Sequence, residues 1–316
     1  MTQKVATRDA YGDALVNLGK KREDVVVLDA DLSGSTKTAK FAKVFPERFF
    51  NIGIAEQDMM GTAAGLAIAG KLPFVSTFAI FATGRAWEQI RQSICYPNVN
   101  VKVVASHAGV TVGEDGGSHQ SIEDIAVMRV IPNMTVIVPA DGAETTQAID
   151  AVAEHKGPCY VRVGRNKTPV LFGADYQFKI GKAHVFHEGK DAAIIATGIM
   201  VAEALATRDM LKAEGIDAGV INMSTIKPLD ADAVLAAAKQ CGAIVTAEEH
   251  SIIGGLGGAV AEALAESAAA PLARIGVKDT FGTSGDSDGL LKHYGLSAGD
   301  IAAAVKEVIK KKRERR

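Results

Sequence analysis

Residues 51–78, NIGIAEQDMMGTAAGLAIAGKLPFVSTF, decide the fold. A strand end (NIGIAEQ), a run of small and apolar residues suited to a helix (DMMGTAAGLAIAG) and a second strand (LPFVSTF) follow one another directly. Two strands joined through a helix run parallel, because the chain must cross back over the sheet before it can pair again in the same direction. The alternation extends both ways. VVVLDAD, VNVKVVASH, MTVIVPA and CYVRVGR read as strands or strand ends, and GRAWEQIRQSICY and AETTQAIDAVAEH as helices. It breaks at residues 171–190, LFGADYQFKIGKAHVFHEGK, whose irregular glycine- and lysine-containing sequence predicts a linker. Beyond it, DAAIIATG, AGVINMST, AIVTAEEH and LARIGV alternate with helical segments such as VAEALATRDMLKAEG and AGDIAAAVKEVIKK. The expected fold class is α/β in two domains, a parallel-sheet domain over residues 1–172 and a smaller α/β domain over 188–316.

Composition narrows the function. The chain has 316 residues, 47% hydrophobic and 23% charged, and no apolar run reaches the ~20 residues that a membrane span requires. A net charge of −2 offers no field for nucleic acid, and the basic tail KKKRERR reads as a solvated helix end. Cys95, Cys159 and Cys241 are far apart, with no CxxC pair and no secretory signal, which predicts reduced thiols and a cytoplasmic protein. The glycine-rich stretch Gly254–Gly258, GGLGG, has Val260 where a dinucleotide fingerprint needs glycine or alanine, and reads as a tight strand-to-helix turn.

In an open parallel sheet, ligands collect beyond the carboxyl ends of the strands. The first domain delivers a dense polar set there: Asp29, Asp31, Ser33 and Ser35 after VVVL, Glu56 after NIGIA, Phe78 and Phe81 after FVST, His107 after KVVAS, and Arg165 after YVRVG. The loop after KVVAS, His107–Gln120 (HAGVTVGEDGGSHQ), carries two imidazoles and an acidic pair around glycines 113, 116 and 117, which permit a tight turn. A zinc site would use similar residue types, but His107 and His119 lack the short ligand spacing of common zinc motifs, so no metal ligand is expected in this chain.

These motifs carry a resemblance. NIGIAEQDMMGTAAGLAIAG, LPFVSTFAIF and GEDGGSHQ closely resemble the pyrimidine-binding region of transketolase, a thiamine-diphosphate enzyme, and VTAEEHSIIGGLGGAVAEAL resembles the C-terminal domain of that family. The likeness covers essentially the whole chain. The diphosphate-binding domain, with its GDG-type motif for Mg2+ and diphosphate, has no counterpart here. The resemblance therefore implies the C-terminal subunit of a split transketolase, inactive alone. An N-terminal subunit would supply the diphosphate domain and the Mg2+ ligands, in a heterotetramer of two copies of each chain.

The resemblance also assigns roles. Glu56 matches the glutamate that hydrogen-bonds N1′ of the cofactor's pyrimidine and so helps its thiazolium C2 to lose a proton; burial would raise its pKa. Phe78 and Phe81 match the aromatic residues facing the pyrimidine ring, and Asp31 and Leu32 match cofactor contacts. The chain departs from some transketolases just afterwards, where ATGRAW places Thr83 and Gly84 in the position of a further aromatic. His107, Asp115 and His119 match residues that contact the sugar, the imidazoles expected near neutral pKa so that they can also move protons. Arg165, Arg8 and Ser35 match contacts to the sugar phosphate. The implied reaction is transfer of a two-carbon ketol unit between sugar phosphates. The β chain of a 2-oxoacid dehydrogenase E1 shares the length and the two-domain plan and is the alternative enzyme, but it predicts neither the phosphate arginine nor the GEDGxxHQ loop. A non-catalytic interaction subunit of the same fold is a third reading, one that should have lost Glu56.

Overall fold

The computed structural model describes residues 3–267 and 270–314. Its first sheet has seven strands in the order Thr225–Lys227, Thr135–Ile137, Cys159–Arg162, Lys102–Ala105, Leu72–Ser76, Val25–Asp29, Phe49–Asn51. The six strands drawn from the first domain pair in parallel throughout. Val25–Asp29 and Leu72–Ser76 are buried at every position, as expected of parallel strands covered by helices on both faces. The helix Glu56–Ile68 supplies one cover. Met59, Met60, Ala63 and Ala64 turn inward, while Gln57, Asp58, Gly61, Thr62 and Gly65 face out. Glu56 and Asp58 in its first turn complement the positive end of the helix dipole.

The second sheet runs Leu272–Val277, Ile244–Ser251, Ala192–Ala196, Ala218–Asn222, His184–His187, with the first four parallel. Helices Met200–Ala213, Ala231–Cys241, Leu256–Ser267 and Ala298–Glu314 accompany it. Arg315 and Arg316 of the basic tail lie outside the described residues. Lys312 of that tail is not simply solvated, since its ammonium donates to the carbonyls of Asp191 and Cys241.

Four details depart from the sequence expectation. His184–His187, inside the expected linker, is an edge strand antiparallel to Ala218–Asn222, and the segment before it is packed: the amides of Leu171 and Phe172 donate to Asp141. The short strand Thr225–Lys227 leaves the second domain and adds an antiparallel edge to the first domain's sheet, where Lys227 donates to the carbonyls of Arg129 and Ile131. The expected helix GRAWEQIRQSICY is a broken run in which wide π-type turns, Phe81–Arg85 and Ile90–Cys95, flank Trp87–Gln89. Lys4–Ala6 and Lys167–Pro169 form a further two-stranded antiparallel ribbon.

All three cysteines are free and buried. Among the described residues no helix is long and apolar enough to cross a membrane, and no group of three or more His, Cys, Asp or Glu side chains is placed to hold a metal ion.

Candidate active site

The carboxyl ends of the first sheet's parallel strands form one rim. Beyond Val25–Asp29 the chain is gathered by the buried Asp29 carboxylate, which accepts from the Leu32 amide (2.6 Å) and from the hydroxyls of Thr36 (2.7 Å) and Thr38 (2.8 Å). Asp29 is therefore committed to holding the loop. The loop in turn presents Asp31, at φ 63°, with Asn51 Nδ2 donating to its Oδ1 at 2.9 Å, and Ser35, whose carbonyl accepts from Arg8 Nη1 at 3.0 Å. Arg8 enters from the helix Thr7–Lys21, and its buried Nε has no hydrogen-bond partner among the described residues.

Glu56 opens its helix with the side chain buried. Its Oε1 accepts from Arg85 Nη1 at 3.2 Å, and the same guanidinium lies over the Phe81 ring, 4.2 Å from the centroid. Phe81 stacks with Phe78 (5.8 Å between centroids, 11° between planes). Arg85 is absent from the sequence reading, although it stands one residue beyond the noted Gly84. Its aim depends on the wide turn Phe81–Arg85, which no local periodicity announces.

Phe78 also stacks against His107 at 3.8 Å, and His119 meets the edges of Phe81 (5.4 Å) and Phe78 (6.2 Å), so the aromatic pair joins the two imidazoles of the glycine-rich loop to the Glu56 side of the rim. His107 is buried at φ 57°. Its Nε2 lies 3.1 Å from Arg8 Nη1, which can only donate, so Nε2 is the acceptor and the ring proton sits on Nδ1, facing Ser106 Oγ at 2.8 Å. Asp115 and Arg165 pair at 3.6 Å, and Arg165 also donates to the Val112 carbonyl at 2.8 Å.

Burial, reinforced by the positive charges of Arg8, Arg165 and Lys37, pushes the His107 pKa down to about 3. The expectation of a near-neutral imidazole does not hold at this position: at physiological pH His107 is a neutral acceptor and carries no proton back and forth. The charges of Arg8, Arg165 and Lys37, the last passed over by the sequence reading, bias the surroundings of this ring toward an anion, with Arg165 paired to Asp115 and Lys37 to Asp9. The shift has a stability consequence. Unfolded chains protonate His107 near pH 6.5 while the folded chain resists until about pH 3, so stability falls as the pH drops across that window. A His107→Gln chain is expected to lose about 2 kcal/mol less than wild type between about pH 6.5 and 4.5, read from urea unfolding midpoints.

The second domain offers no rival site at its glycine run. The N-terminus of the helix Leu256–Ser267 is already filled by the Glu248 carboxylate, which accepts from the amides of Leu256 and Gly257 at 2.7 Å each. A phosphate would meet that carboxylate, so the reading of a structural turn stands. His250 is buried and hydrogen-bonded to backbone, and His184 packs among Phe172, Tyr176 and Phe186.

Comparison with known proteins places this rim in a family. Residues 3–170 match the transketolase pyrimidine-binding domain and residues 181–301 the transketolase C-terminal domain. A protein of Methanocaldococcus jannaschii, provisionally named a transketolase C-terminal section, is 54% identical over 307 residues, 96% of either chain. The 6-deoxy-6-sulfo-D-fructose transketolase subunit of Clostridium sp. (strain MSTE9) is 44% identical, covering 96% of this chain and 95% of that one. A solved structure described as a split-gene transketolase in an inactive β4 tetramer is 54% identical, with a TM-score of 0.90 over 98% of this chain and all of that one. Against human transketolase, by contrast, the chain is 38% identical over half of that protein's length. With both domains matched in order and the GEDGGSHQ loop, the paired phenylalanines and the buried glutamate on one sheet rim, this chain belongs to the transketolase family.

Proposed function

We propose that this chain is the C-terminal subunit of a two-chain transketolase, moving a two-carbon ketol unit from a ketose phosphate to an aldose phosphate. The observation that carries the reading is the convergence, on one rim, of a buried carboxylate beside stacked aromatic rings and of three cations beside a histidine-bearing loop.

The Glu56 corner suits an aminopyrimidine. Arg85 already demonstrates the shape that fits: a flat, delocalised group with an N–H directed at the Glu56 carboxylate and a face laid over Phe81. Thiamine diphosphate, when bound, supplies the carbon nucleophile. Arg85 is half exposed, and its displacement by the cofactor would leave Glu56 to hold the proton at N1′ and Phe78 and Phe81 to pack against the ring. Asp31 and Leu32 would contact the cofactor beside it. His119, against the same aromatic edges, is the imidazole placed to pass protons at the reacting carbon. Asp115 selects hydroxyl configuration. His107 accepts from Arg8 or from a sugar hydroxyl, and Arg8, Arg165 and Lys37, with Ser35, receive the phosphate, where a guanidinium can donate two parallel hydrogen bonds.

The remaining half of the site falls to an N-terminal partner subunit bearing the diphosphate and Mg2+ ligands, in an assembly of two copies of each chain. The near-complete overlap with subunit-length relatives, against half of human transketolase, supports this division. Buried free thiols agree with a cytoplasmic protein. The test is reconstitution with an N-terminal transketolase subunit from the same genome, thiamine diphosphate, Mg2+, xylulose 5-phosphate and ribose 5-phosphate. Ketol transfer should appear only when both chains are present and should weaken sharply when unphosphorylated xylulose replaces the phosphate ester. Equal rates with and without the phosphate would remove the role given to the three cations.

A further inference from the structure

The loop His107–Gln120 is held partly by its own backbone, the His119 and Gln120 amides donating to the Gly116 carbonyl and the Gly109 amide to the Ser121 carbonyl, and partly from outside. Its backbone passes through positive φ at His107, Gly109, Gly113 and Gly116, and such a path has no regular ladder of its own to stabilise it. Further ties run to the second domain. The Thr111 amide donates to Glu249 Oε1 at 2.6 Å, and the Thr111 carbonyl accepts from Ser287 Oγ at 3.0 Å. Gln120 Nε2 donates across to the Thr283 carbonyl at 2.9 Å while bonding Val110 O and Gly113 O of its own loop at 3.0 and 3.3 Å. Ser287 also bonds Asn166, the neighbour of Arg165.

The fit is close as well as polar. A side chain added at Gly109 would put its Cβ 2.2 Å from the Glu249 carboxyl carbon, and one at Gly117 would fall 2.5 Å from the Gly282 carbonyl oxygen. Glu249 is itself buried, and its own carbonyl accepts from Arg162 Nη2 at 2.9 Å. Thr111, gripped at both its amide and its carbonyl, stands midway between His107 and the pair Asp115 and His119. The anchor lies four residues from both His107 and Asp115.

We propose that Glu249, seconded by Ser287, is a positioning residue for sugar binding: the C-terminal domain acts as the template on which the substrate loop is set. This rests on the reading of the loop as the sugar site. It also gives that domain a task in the site itself.

The experiment compares Glu249→Ala with Glu249→Gln in the reconstituted two-chain enzyme, and measures amide hydrogen exchange of residues 108–120 in both variants of the free chain. In the alanine variant the KM for xylulose 5-phosphate is expected to rise at least about tenfold with a smaller fall in kcat, since a loop displaced by about an ångström loses alignment without losing its groups. Exchange across 108–120 should quicken there and stay unchanged in the strands of both sheets. The glutamine variant keeps an oxygen to accept from Thr111 and should restore both values to within about threefold of wild type. If the alanine variant fails to fold, Ser287→Ala removes the other tie to Thr111 and is read in the same two ways. Unchanged KM together with unchanged exchange in the folded variants overturns the proposal. So does a fall in kcat at constant KM that glutamine fails to rescue. Faster exchange in Glu249→Ala alongside a wild-type complex that performs no ketol transfer would instead uphold the brace and overturn the sugar reading of the loop.

Discussion

Glu56→Ala in the reconstituted enzyme is expected to cut ketol transfer by about 10³-fold, within the range of 10² to 10⁴ that one positioned acid or base supplies. The KM for the sugar phosphates should change little, because Glu56 stands with Arg85 and Phe81, apart from Arg8, Arg165 and Lys37, to which the phosphate contacts are assigned above. Two controls separate chemistry from folding. The side chain is buried, so the alanine variant should be checked for an unaltered circular dichroism spectrum and partner binding. Glu56→Gln keeps the volume and a hydrogen-bond acceptor but cannot give or take the proton, and should be nearly as slow as alanine. A glutamine variant at more than about a tenth of wild-type rate would mean that the carboxylate serves only as an acceptor, and the acid–base role assigned here would fall.

What the sequence disclosed follows from how local each determinant is. The runs VVVL and AAIIA are legible because a strand buried on both faces is mostly apolar, and both lie in strands buried at every position. Glu56, Phe78, His107 and Arg165 are legible as rim residues because a parallel sheet sends the residues after each strand to the same edge. Three-residue edge strands such as Thr225–Lys227 are not, since their identity as strands depends on a partner about ninety residues away. Arg85 escapes because a wide turn redirects it. The lowered pKa of His107 escapes because it sums burial with charges from residues 8, 37 and 165, brought together only by the fold. Glu249 is the extreme case. VTAEEH reads as an ordinary strand end, and nothing local says that the second glutamate reaches 138 residues back to the Thr111 amide.

The same long-range architecture makes Arg162 the residue whose loss should cost the fold most. Arg162 ends the strand Cys159–Arg162, and its Nε donates to Asp124 Oδ2 at 2.8 Å, where the Tyr160 hydroxyl also donates at 2.6 Å. Its Nη2 donates to the carbonyls of Ser121 and Glu249, joining the strand, the segment after the loop His107–Gln120 and the second domain. Arg162 is 7% exposed and Asp124 is fully buried. Formation of such a pair gains little over an apolar pair of equal volume, because both ions lose their water. Removing one partner is a different matter, since it strands a carboxylate in a medium that cannot solvate it, at a cost of about 3–5 kcal/mol. Arg162→Met is therefore expected to lower the unfolding free energy by that amount, read as a fall in the urea midpoint at an unchanged slope, while Arg162→Met combined with Asp124→Asn should recover a large part of the loss. If the single substitution costs under about 1 kcal/mol, water or another donor reaches Asp124, and the pair is not the fixed point beneath the loop His107–Gln120 that its geometry implies.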